Sequence, residues 1–537
     1  MIQICKKSTL LLTVLVLLIG ACESQPRKYV EAPFTALDTL STNDWWNRKT
    51  SKIINTKVPR DQVVAFGIYT TSNNTLKLSA QLFPLYPEET RTVRLEFYKN
   101  DQWEEVQSQE LNEIGWSALF RVEDWDINQS VKYRLLHGKN AQFKGTIRRD
   151  PIDQNQISMA ALSCNSNKDR GDREEYVKNI NALDPDFVFF AGDQSYDHKE
   201  HTAAWLKFGL QFREVFRNRP CVTIPDDHDI GQGNLWGESG KKSMRKDGND
   251  GGYYFHPDYV KMVERAQTAH LPDAYHQAPL EQGIKAYFTS LKIGGVDFAI
   301  IEDRKFKSGP NGKIPKQGPR ADHINDPNYN PDSINLDELV LLGDLQHQFL
   351  EEWGSDKNSQ MKAVLSATGF CGGAHLHGRA SNRLHADLDS NGWPQHERDK
   401  ALSLIQKAGA VHIAGDQHLP TVIHHGINDY EDGPWAFVVP AIINNYYSRW
   451  WWPEDEMPGE NNNDILPWTG RYFDGFKNKI TMHAYANPDS ESSGAGFGFI
   501  RFNIEKKEVT FECWPRGEDV SKPYAKQFTG WPITVKL

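Results

Sequence analysis

Four short polar motifs follow apolar segments of the 537-residue sequence, and they carry the side chains best suited to chemistry. They are SCN at 163–165, GDQSYD at 192–197, PDDHD at 225–229 and GDQH at 415–418. Taken singly, such motifs are more typical of turns and helix caps than of metal sites. Taken together, they offer carboxylates, imidazoles, a thiol and a phenol, which are ligands for hard and borderline cations. Because one carboxylate can bridge two ions, the combination predicts a site for two adjacent metals.

The elements that must position these motifs are predicted to be strands of an α/β or α+β domain over residues 151–537. Apolar segments at 157–162, 187–191, 363–366 and 411–414 have the length of buried strands. Amphipathic segments precede three of them, and Val177, Ile180 and Leu183 mark one such helical face. Loops at the carboxyl ends of these strands are where α/β folds build their sites, so we expect the motifs to converge there.

The region before this domain, residues 61–150, has a different pattern. Short runs rich in β-branched and aromatic residues occur at 64–69, 76–82 and 131–135. Their spacing favours a small immunoglobulin- or fibronectin-like β-sandwich. The sequence of this region has no cluster of metal ligands and no nucleophile motif, so we expect it to act as a scaffold.

The first residues have the pattern of an export signal. Lys6 and Lys7 precede an apolar run at 10–19 that is too short to span a bilayer. Small residues then lead to Cys22, as in a bacterial lipobox, although ordinary signal cleavage beside an incidental cysteine is the alternative. We expect a signal peptide at 1–21, lipidation of Cys22 and a tether at 22–60. The protein would then be an exported lipoprotein, periplasmic or on the cell surface, held to the membrane by lipid.

Composition restricts the class of protein. With 39% hydrophobic and 25% charged residues, the composition is typical of a globular protein. It excludes the collagen-like, coiled-coil and wholly disordered classes of protein. Its net charge of −10 argues against broad binding of nucleic acid, which depends on Lys and Arg meeting phosphates. Beyond the leader and Cys22, four cysteines remain, at 164, 221, 371 and 513, and the sequence allows one disulfide without assigning it.

The motifs resemble those of the calcineurin-like metallophosphoesterases and, within them, the PhoD-like alkaline phosphatases and phosphodiesterases. Residues 192–196 match the GDxxY form, and 227–229 stand where the family has Asn-His-Asp/Glu. GDQH at 415–418 replaces GHxH, and Cys164 replaces the first ligand motif, both as in PhoD-like proteins. IEDR at 301–304 and DSNGWP at 389–394 add to the resemblance, which covers about 158 to 516. It implies a two-sheet β-sandwich flanked by helices. The family also has a lone metal-binding histidine, for which His375 and His377 are the candidates in this sequence.

The resemblance also implies roles for individual residues. Asp193 would bridge two metals, and His228 would orient or protonate the leaving oxygen. Arg304, with Lys305 and Lys307, would steady substrate charge. The expected metals are Fe³⁺ and Ca²⁺, with Zn²⁺ or Mn²⁺ as alternatives, because thiolate and phenolate favour a trivalent ion and carboxylates suit calcium. The ligands of the iron site would be Cys164, Tyr196 and either Asp416 or His418, and those of the calcium site Asp227 and the other member of that pair.

The expected activity is hydrolysis of a phosphoric mono- or diester by a metal-bound hydroxide, on a small-molecule or glycan- or lipid-linked substrate. One alternative is hydrolysis of another ester, such as a sulfate, at the same site. The other is a non-catalytic, glycan-binding surface lipoprotein in which the site is structural. A cluster of aromatic residues fits either core packing or stacking on sugars or lipid headgroups: Tyr446, Tyr447, Trp450, Trp451 and Trp452.

Overall fold

A computed structural model describes residues 33–34, 36–42, 45–47, 50–374, 384–444, 449–453, 465–488 and 493–537. The signal peptide with Cys22, the histidines at 375 and 377, and the tyrosines at 446 and 447 lie outside these residues. Within the described ranges, every helix is too short or too polar to cross a membrane.

Two antiparallel sheets occupy the region between residues 64 and 147. The strands in chain order are β1 (Val64–Ser72), β2 (Thr75–Leu82), β3 (Thr92–Lys99), β4 (Gln102–Glu110), β5 (Ser117–Val122), β6 (Val131–His137) and β7 (Ala141–Ile147). One sheet has the order β1-β2-β5 and the other β4-β3-β6-β7. Alternate strand residues such as Leu76, Leu78, Val93 and Leu95 are fully buried in one hydrophobic cluster, as the period of a β-strand requires.

The larger part of the chain alternates strands and helices before ending in strands. Its first half contains β8 (Gln156–Asn165), α1 (Glu174–Leu183), β9 (Phe187–Phe190), α2 (His201–Phe216), β10 (Cys221–Thr223), α3 (Asp227–Ile230), α4 (Pro257–Thr268), β11 (Thr289–Ile293), β12 (Val296–Ile300), β13 (His323–Ile324) and α5 (Gly343–Ser355). The second half contains β14 (Met361–Thr368), β15 (Ala386–Asp387), α6 (Gln395–Lys407), β16 (Ala410–Gly415), β17 (Thr421–His425), β18 (Trp435–Val438), β19 (Ala441–Ile443), β20 (Gly470–Phe473), β21 (Lys479–Tyr485), β22 (Gly496–Asn503), β23 (Glu508–Pro515) and β24 (Ile533–Lys536).

These strands form two large sheets that pack face to face. One has the order β10-β9-β8-β22-β23-β24, with β19 also pairing with β8, and the other has the order β11-β12-β14-β16-β18-β17-β21-β20. The ring of Phe187 in β9 lies 4.7 Å from that of Phe298 in β12, across the interface. Ile157, Met159 and Ala161 of β8 point into this core. The predicted two-sheet sandwich flanked by helices is therefore confirmed.

The opposite face of β8 packs against helices and the N-terminal sheets. Leu162 belongs to the same hydrophobic cluster as residues of α2 and β1. The ring of Phe66 in β1 lies 5.6 Å from that of Trp205 in α2. Gly209 of α2 permits this approach, because a Cβ there would lie 1.8 Å from the Phe66 ring. The N-terminal sheets are thus joined to the larger domain by an apolar core.

The segment expected to be a tether, 22–60, is folded in its described part. The side chains of Phe34, Leu37, Leu40 and Trp45 are buried. The Phe34 ring packs 5.7 Å from the ring of Tyr259, and the Trp45 indole N–H donates to the backbone oxygen of Leu85 at 3.1 Å. The tether interpretation is therefore corrected for these residues, because their apolar side chains find partners far along the chain.

Candidate metal centre

The four polar motifs converge at the carboxyl ends of strands in both large sheets. Parallel pairing of β8, β9 and β10 brings the first three motifs side by side. The fourth motif follows β16 in the facing sheet, and the backbone N–H of Asp416 donates to Ser163 Oγ at 3.1 Å. Gly415 allows this closeness, since a Cβ there would lie 2.2 Å from the same oxygen. The two sheets therefore meet at one site.

Donor atoms from these motifs form three overlapping groups in which all atoms lie within 4.8 Å of one another. The groups are Cys164, Asp193 and His418; Asp193, Asp227 and His228; and Asp193, Asp226, Asp227 and Asp416. Asp193 belongs to all three. Tyr196 adjoins the first group, with its hydroxyl 3.1 Å from His418 Nε2. All six residues expected from the sequence to bind metal are thus brought together.

The backbone at this site is strained. Four of the donor residues have φ angles in the left-handed region, which side chains with a Cβ rarely adopt: Cys164 at 56°, Asp193 at 58°, Asp416 at 64° and His418 at 53°. Such conformations cost on the order of 1–3 kcal/mol each and concentrate at functional sites. The strained residues are the ones whose donor atoms lie close together.

Electrostatics make the carboxyl groups unstable as bare anions. Burial, followed by repulsion from neighbouring carboxylates, raises the pKa of Asp193 well above its usual range. Burial likewise raises the pKa of Asp226 and Asp227, although Arg304 opposes the shift in both. Burial, with Asp193 and Asp416 nearby, raises the pKa of the Cys164 thiol. A cation among these groups would reverse each shift, because it favours the charged form of every donor.

The hydrogen bonding of Asp193 also fits a bound cation. Both of its side-chain oxygens are buried, and within the described part of the chain neither has a hydrogen-bond partner of normal geometry. The Tyr196 hydroxyl is near enough to lower the pKa of Asp193 but does not satisfy these oxygens. Buried carboxylate oxygens are normally paired, so the donor set fits metal ligation.

Arg304 lies beside the donors but is fully engaged by them. Its Nε donates to Asp226 Oδ1 at 2.6 Å and its NH1 to Asp389 Oδ1 at 2.7 Å. Its NH2 donates to Thr368 Oγ1 at 2.9 Å and lies 3.2 Å from Asp416 Oδ2. All three nitrogens are occupied in the interior, so contact between Arg304 and a substrate, as expected from the sequence, does not fit. The guanidinium instead orients three aspartates.

The other basic residues after β12 are also structural. Lys305 is buried and donates to Glu264 Oε1 at 2.5 Å. Lys307 is buried and donates to the backbone oxygens of Asp389 and Ser390, at 2.6 and 2.8 Å. Neither is placed to steady substrate charge as expected. Their ammonium groups instead hold the surrounding loops.

Asp229 is a supporting residue that the sequence reasoning missed. Its Oδ2 accepts from the backbone N–H groups of Asp193 at 2.8 Å and Asp226 at 3.0 Å. Its Oδ1 accepts from the backbone N–H of Ser195 at 3.2 Å. One carboxylate therefore ties two metal-binding loops together. Its position two residues after Asp227 was the available signal.

His228, the expected leaving-group residue, lies at the edge of the donor set. Burial, with a contribution from His198, lowers the pKa of His228 to about 3. His198 Nε2 lies 2.7 Å from His228 Nδ1. The sequence reasoning gave His198 no role, since nothing in its local pattern marks it.

Two further sequence expectations have structural outcomes. Trp451 is fully buried and its indole N–H donates to the backbone oxygen of Trp468 at 2.9 Å, as core packing requires. Trp452, in contrast, is 42% exposed. The four cysteines among the described residues, Cys164, Cys221, Cys371 and Cys513, are free, so the disulfide that the sequence allowed among them is not formed.

Comparison with known proteins supports the fold. PhoD shares it with 14% sequence identity and a TM-score of 0.61, over 89% of this chain and 92% of that one. A purple acid phosphatase isolated from yellow lupin (Lupinus luteus) seeds shares it with 12% identity and a TM-score of 0.53, over 88% of this chain and 73% of that one. No protein-family model matches the sequence, and no curated protein matches it. The chain therefore has the fold seen in PhoD and in this purple acid phosphatase, as the resemblance of its motifs predicts.

Proposed function

We propose that the chain is a metal-dependent phosphoric ester hydrolase. The observation that carries the proposal is the Asp193 carboxylate, which is buried, shared by three donor groups and left without normal hydrogen bonds among the described residues. Such a carboxylate at the meeting point of strand ends is suited to bridging two cations. The same fold occurs in a purple acid phosphatase and in PhoD, whose family the motifs of this chain resemble.

The donor groups divide naturally between two cations. Cys164 and His418, with Tyr196 beside them, form the softer set, which we assign to Fe³⁺. Asp227 and Asp416 belong to the carboxylate set, which we assign to Ca²⁺. Zn²⁺ or Mn²⁺ are the alternatives. The grouping favours His418 for the iron side and Asp416 for the calcium side, where the sequence left the two open.

The reaction uses both the cations and the protein. Bound cations withdraw charge from phosphate oxygens and make water a stronger nucleophile. Arg304 holds Asp226, Asp389 and Asp416 in fixed orientations, and Asp229 holds the loops of Asp193 and Asp226. This preorganisation removes the need for reorientation during the reaction. His228, at the edge of the donor set, offers an imidazole to the leaving oxygen.

The test is a comparison of three substrates with metal-analysed protein. An aryl monophosphate, a bis-aryl phosphodiester and an aryl sulfate report the reaction class through the same released phenol. We expect hydrolysis of one or both phosphate esters and loss of activity after chelation. Activity should return when the metal that chelation removed is added back. Faster hydrolysis of the sulfate would favour the alternative ester, and inactivity with full metal content would contradict the proposal.

A further inference from the structure

We propose that His198 is a positioning residue that fixes His228 with an N–H directed toward the leaving oxygen of the substrate. The inference rests on the proposed function and assigns a second histidine to it. His198 Nε2 and His228 Nδ1 lie 2.7 Å apart, within hydrogen-bond distance, and the proposal makes His198 the donor. His228 then carries its own proton on Nε2, because a neutral imidazole has one donor and one acceptor nitrogen.

Ring contacts limit the movement of His228. The imidazoles of His198 and His228 meet edge to edge through these nitrogens, with centroids 5.0 Å apart and planes at 30°. The Tyr196 ring lies 4.2 Å from the same imidazole. The backbone N–H of His228 donates to Asp227 Oδ1 at 2.8 Å. With its ring and backbone held in this way, the hydrogen bond to His198 decides which nitrogen faces the site.

The surroundings favour an N–H on the inward side of the ring. Carboxylate oxygens of Asp193 and Asp227 lie within 4.8 Å of a ring nitrogen of His228. Oxygen acceptors of this kind, and the oxygens of a phosphate ester, attract an N–H and repel a lone pair. Since Nδ1 accepts from His198 in this proposal, Nε2 is the nitrogen that remains to donate to these oxygens.

The loop that carries His198 is itself held in place on both sides. On one side, Asp197 accepts from Asn167 Nδ2 at 3.0 Å and forms an ion pair with Arg170. On the other side, the backbone oxygen of Lys199 accepts from the Asp38 N–H at 2.6 Å. The backbone at His198 is therefore fixed, although its side chain is exposed.

Two substitutions separate the hydrogen bond from the packing of the His198 ring. His198→Phe keeps an aromatic ring but removes the donor, and His198→Gln keeps an N–H at the same reach but removes the ring. Both are assayed with aryl phosphates whose leaving groups range from dinitrophenol to phenol. A leaving group of higher pKa depends more on proton donation, so the effect should grow along the series.

For His198→Phe we expect kcat to fall about 10-fold or more with phenyl phosphate but less than about 3-fold with dinitrophenyl phosphate. Both losses are smaller than the usual contribution of a general acid, because His228 itself is kept. His198→Gln should retain most of the wild-type rate, with metal content unchanged in both variants. Equal losses for every leaving group, or equal losses in both variants, would show a merely structural role and overturn the inference.

A spectroscopic measurement tests the hydrogen bond without activity. Two-bond ¹H–¹⁵N correlation of histidine rings, with His228→Asn identifying the signal, should show His228 protonated on Nε2 in the wild type and a mixed tautomer in His198→Phe. Protonation of His228 on Nδ1 in the wild type would overturn the inference. A wild type without phosphatase activity would instead contradict the proposed function, and the tautomer would still be decided.

Discussion

Arg304 and Asp226 form a buried ion pair across the two facing sheets, with Nε donating to Oδ1 at 2.6 Å. Arg304 follows β12 and Asp226 follows β10, so the pair joins loops from different sheets at the candidate metal centre. The guanidinium also balances part of the charge of Asp389 and Asp416. The acidic donors can therefore stay close together before any cation arrives.

Arg304→Met should destabilise the fold by about 3–5 kcal/mol, because removing one partner leaves buried carboxylates without compensation. Urea unfolding measures the change. Arg245→Gln is the matched control: Arg245 pairs with Asp247 and both side chains are exposed, at 49% and 45%, so its loss should change stability far less. If Arg304→Met kept wild-type stability, its structural role would be refuted.

Asp193→Asn should abolish phosphoesterase activity, because the neutral amide cannot bridge two cations and their mutual repulsion is left unscreened. The fold should survive, since the substitution removes one of several clustered carboxylates. The control is Asp186→Asn, which should keep its activity. Asp186 lies near the other end of β8, where it accepts from the backbone N–H of Ser158 at 2.7 Å. Retention by Asp193→Asn of more than about a tenth of the wild-type activity with full metal content would contradict a two-metal site.

Sequence patterns predicted the convergence of the donors because each motif directly follows an apolar strand, and strand ends gather at an edge. They did not predict the contacts of Arg304, because its partners Asp226 and Asp389 are 78 and 85 residues away in sequence. His198 was missed for the same reason, since its partner His228 is 30 residues away. Local periodicity reports which face of an element is buried but not which distant side chains meet there.

The described part of the expected tether shows a different limit of sequence patterns. Phe34, Leu37 and Leu40 lie three residues apart in a short segment of mixed composition, which is not enough to predict a buried element. Their burial depends on surfaces built from residues such as Tyr259 and Trp116. Composition alone therefore predicted a tether for residues that pack against the folded domains.

Asp38 should make the stability of the fold depend on pH. It is buried where its Oδ2 accepts from the backbone N–H and the hydroxyl of Thr202, both at 2.8 Å, and burial raises its pKa from 3.8 to about 7. The native state therefore binds more protons than the unfolded state between about pH 4 and pH 7, and stability falls as pH rises through that window.

Asp38→Asn should remove this contribution, which is on the order of a few kcal/mol. The measurement is urea unfolding at pH 5 and pH 8, where the wild type should lose stability relative to Asp38→Asn at the higher pH. Asp344→Asn, at a fully exposed side chain, should follow the wild type at both values. A wild type and Asp38→Asn that respond identically to pH would show that Asp38 has an ordinary pKa.

Cys22→Ser should release the protein from membranes into the soluble fraction if Cys22 carries the lipid anchor that we propose. Specific activity should be unchanged, because the residues of the candidate metal centre lie in β8 and in later parts of the chain. Cell fractionation with an activity assay measures both. Membrane-bound Cys22→Ser protein would point to another means of attachment.

The assignment of iron predicts a coloured protein. Phenolate or thiolate bound to Fe³⁺ gives a visible charge-transfer band, which Zn²⁺ and Ca²⁺ with their closed shells cannot produce. Tyr196→Phe should shift or bleach the band, because the Tyr196 hydroxyl adjoins His418 in the softer donor set. Cys164→Ser should weaken iron retention, whereas Cys221→Ser, at another buried thiol whose Sγ donates to the backbone oxygen of Arg219 at 3.5 Å, should leave iron content and colour unchanged. Absorption spectra and metal analysis of the purified variants decide the matter. A colourless and fully active wild type with zinc in both positions would refute iron while leaving the phosphoesterase proposal intact.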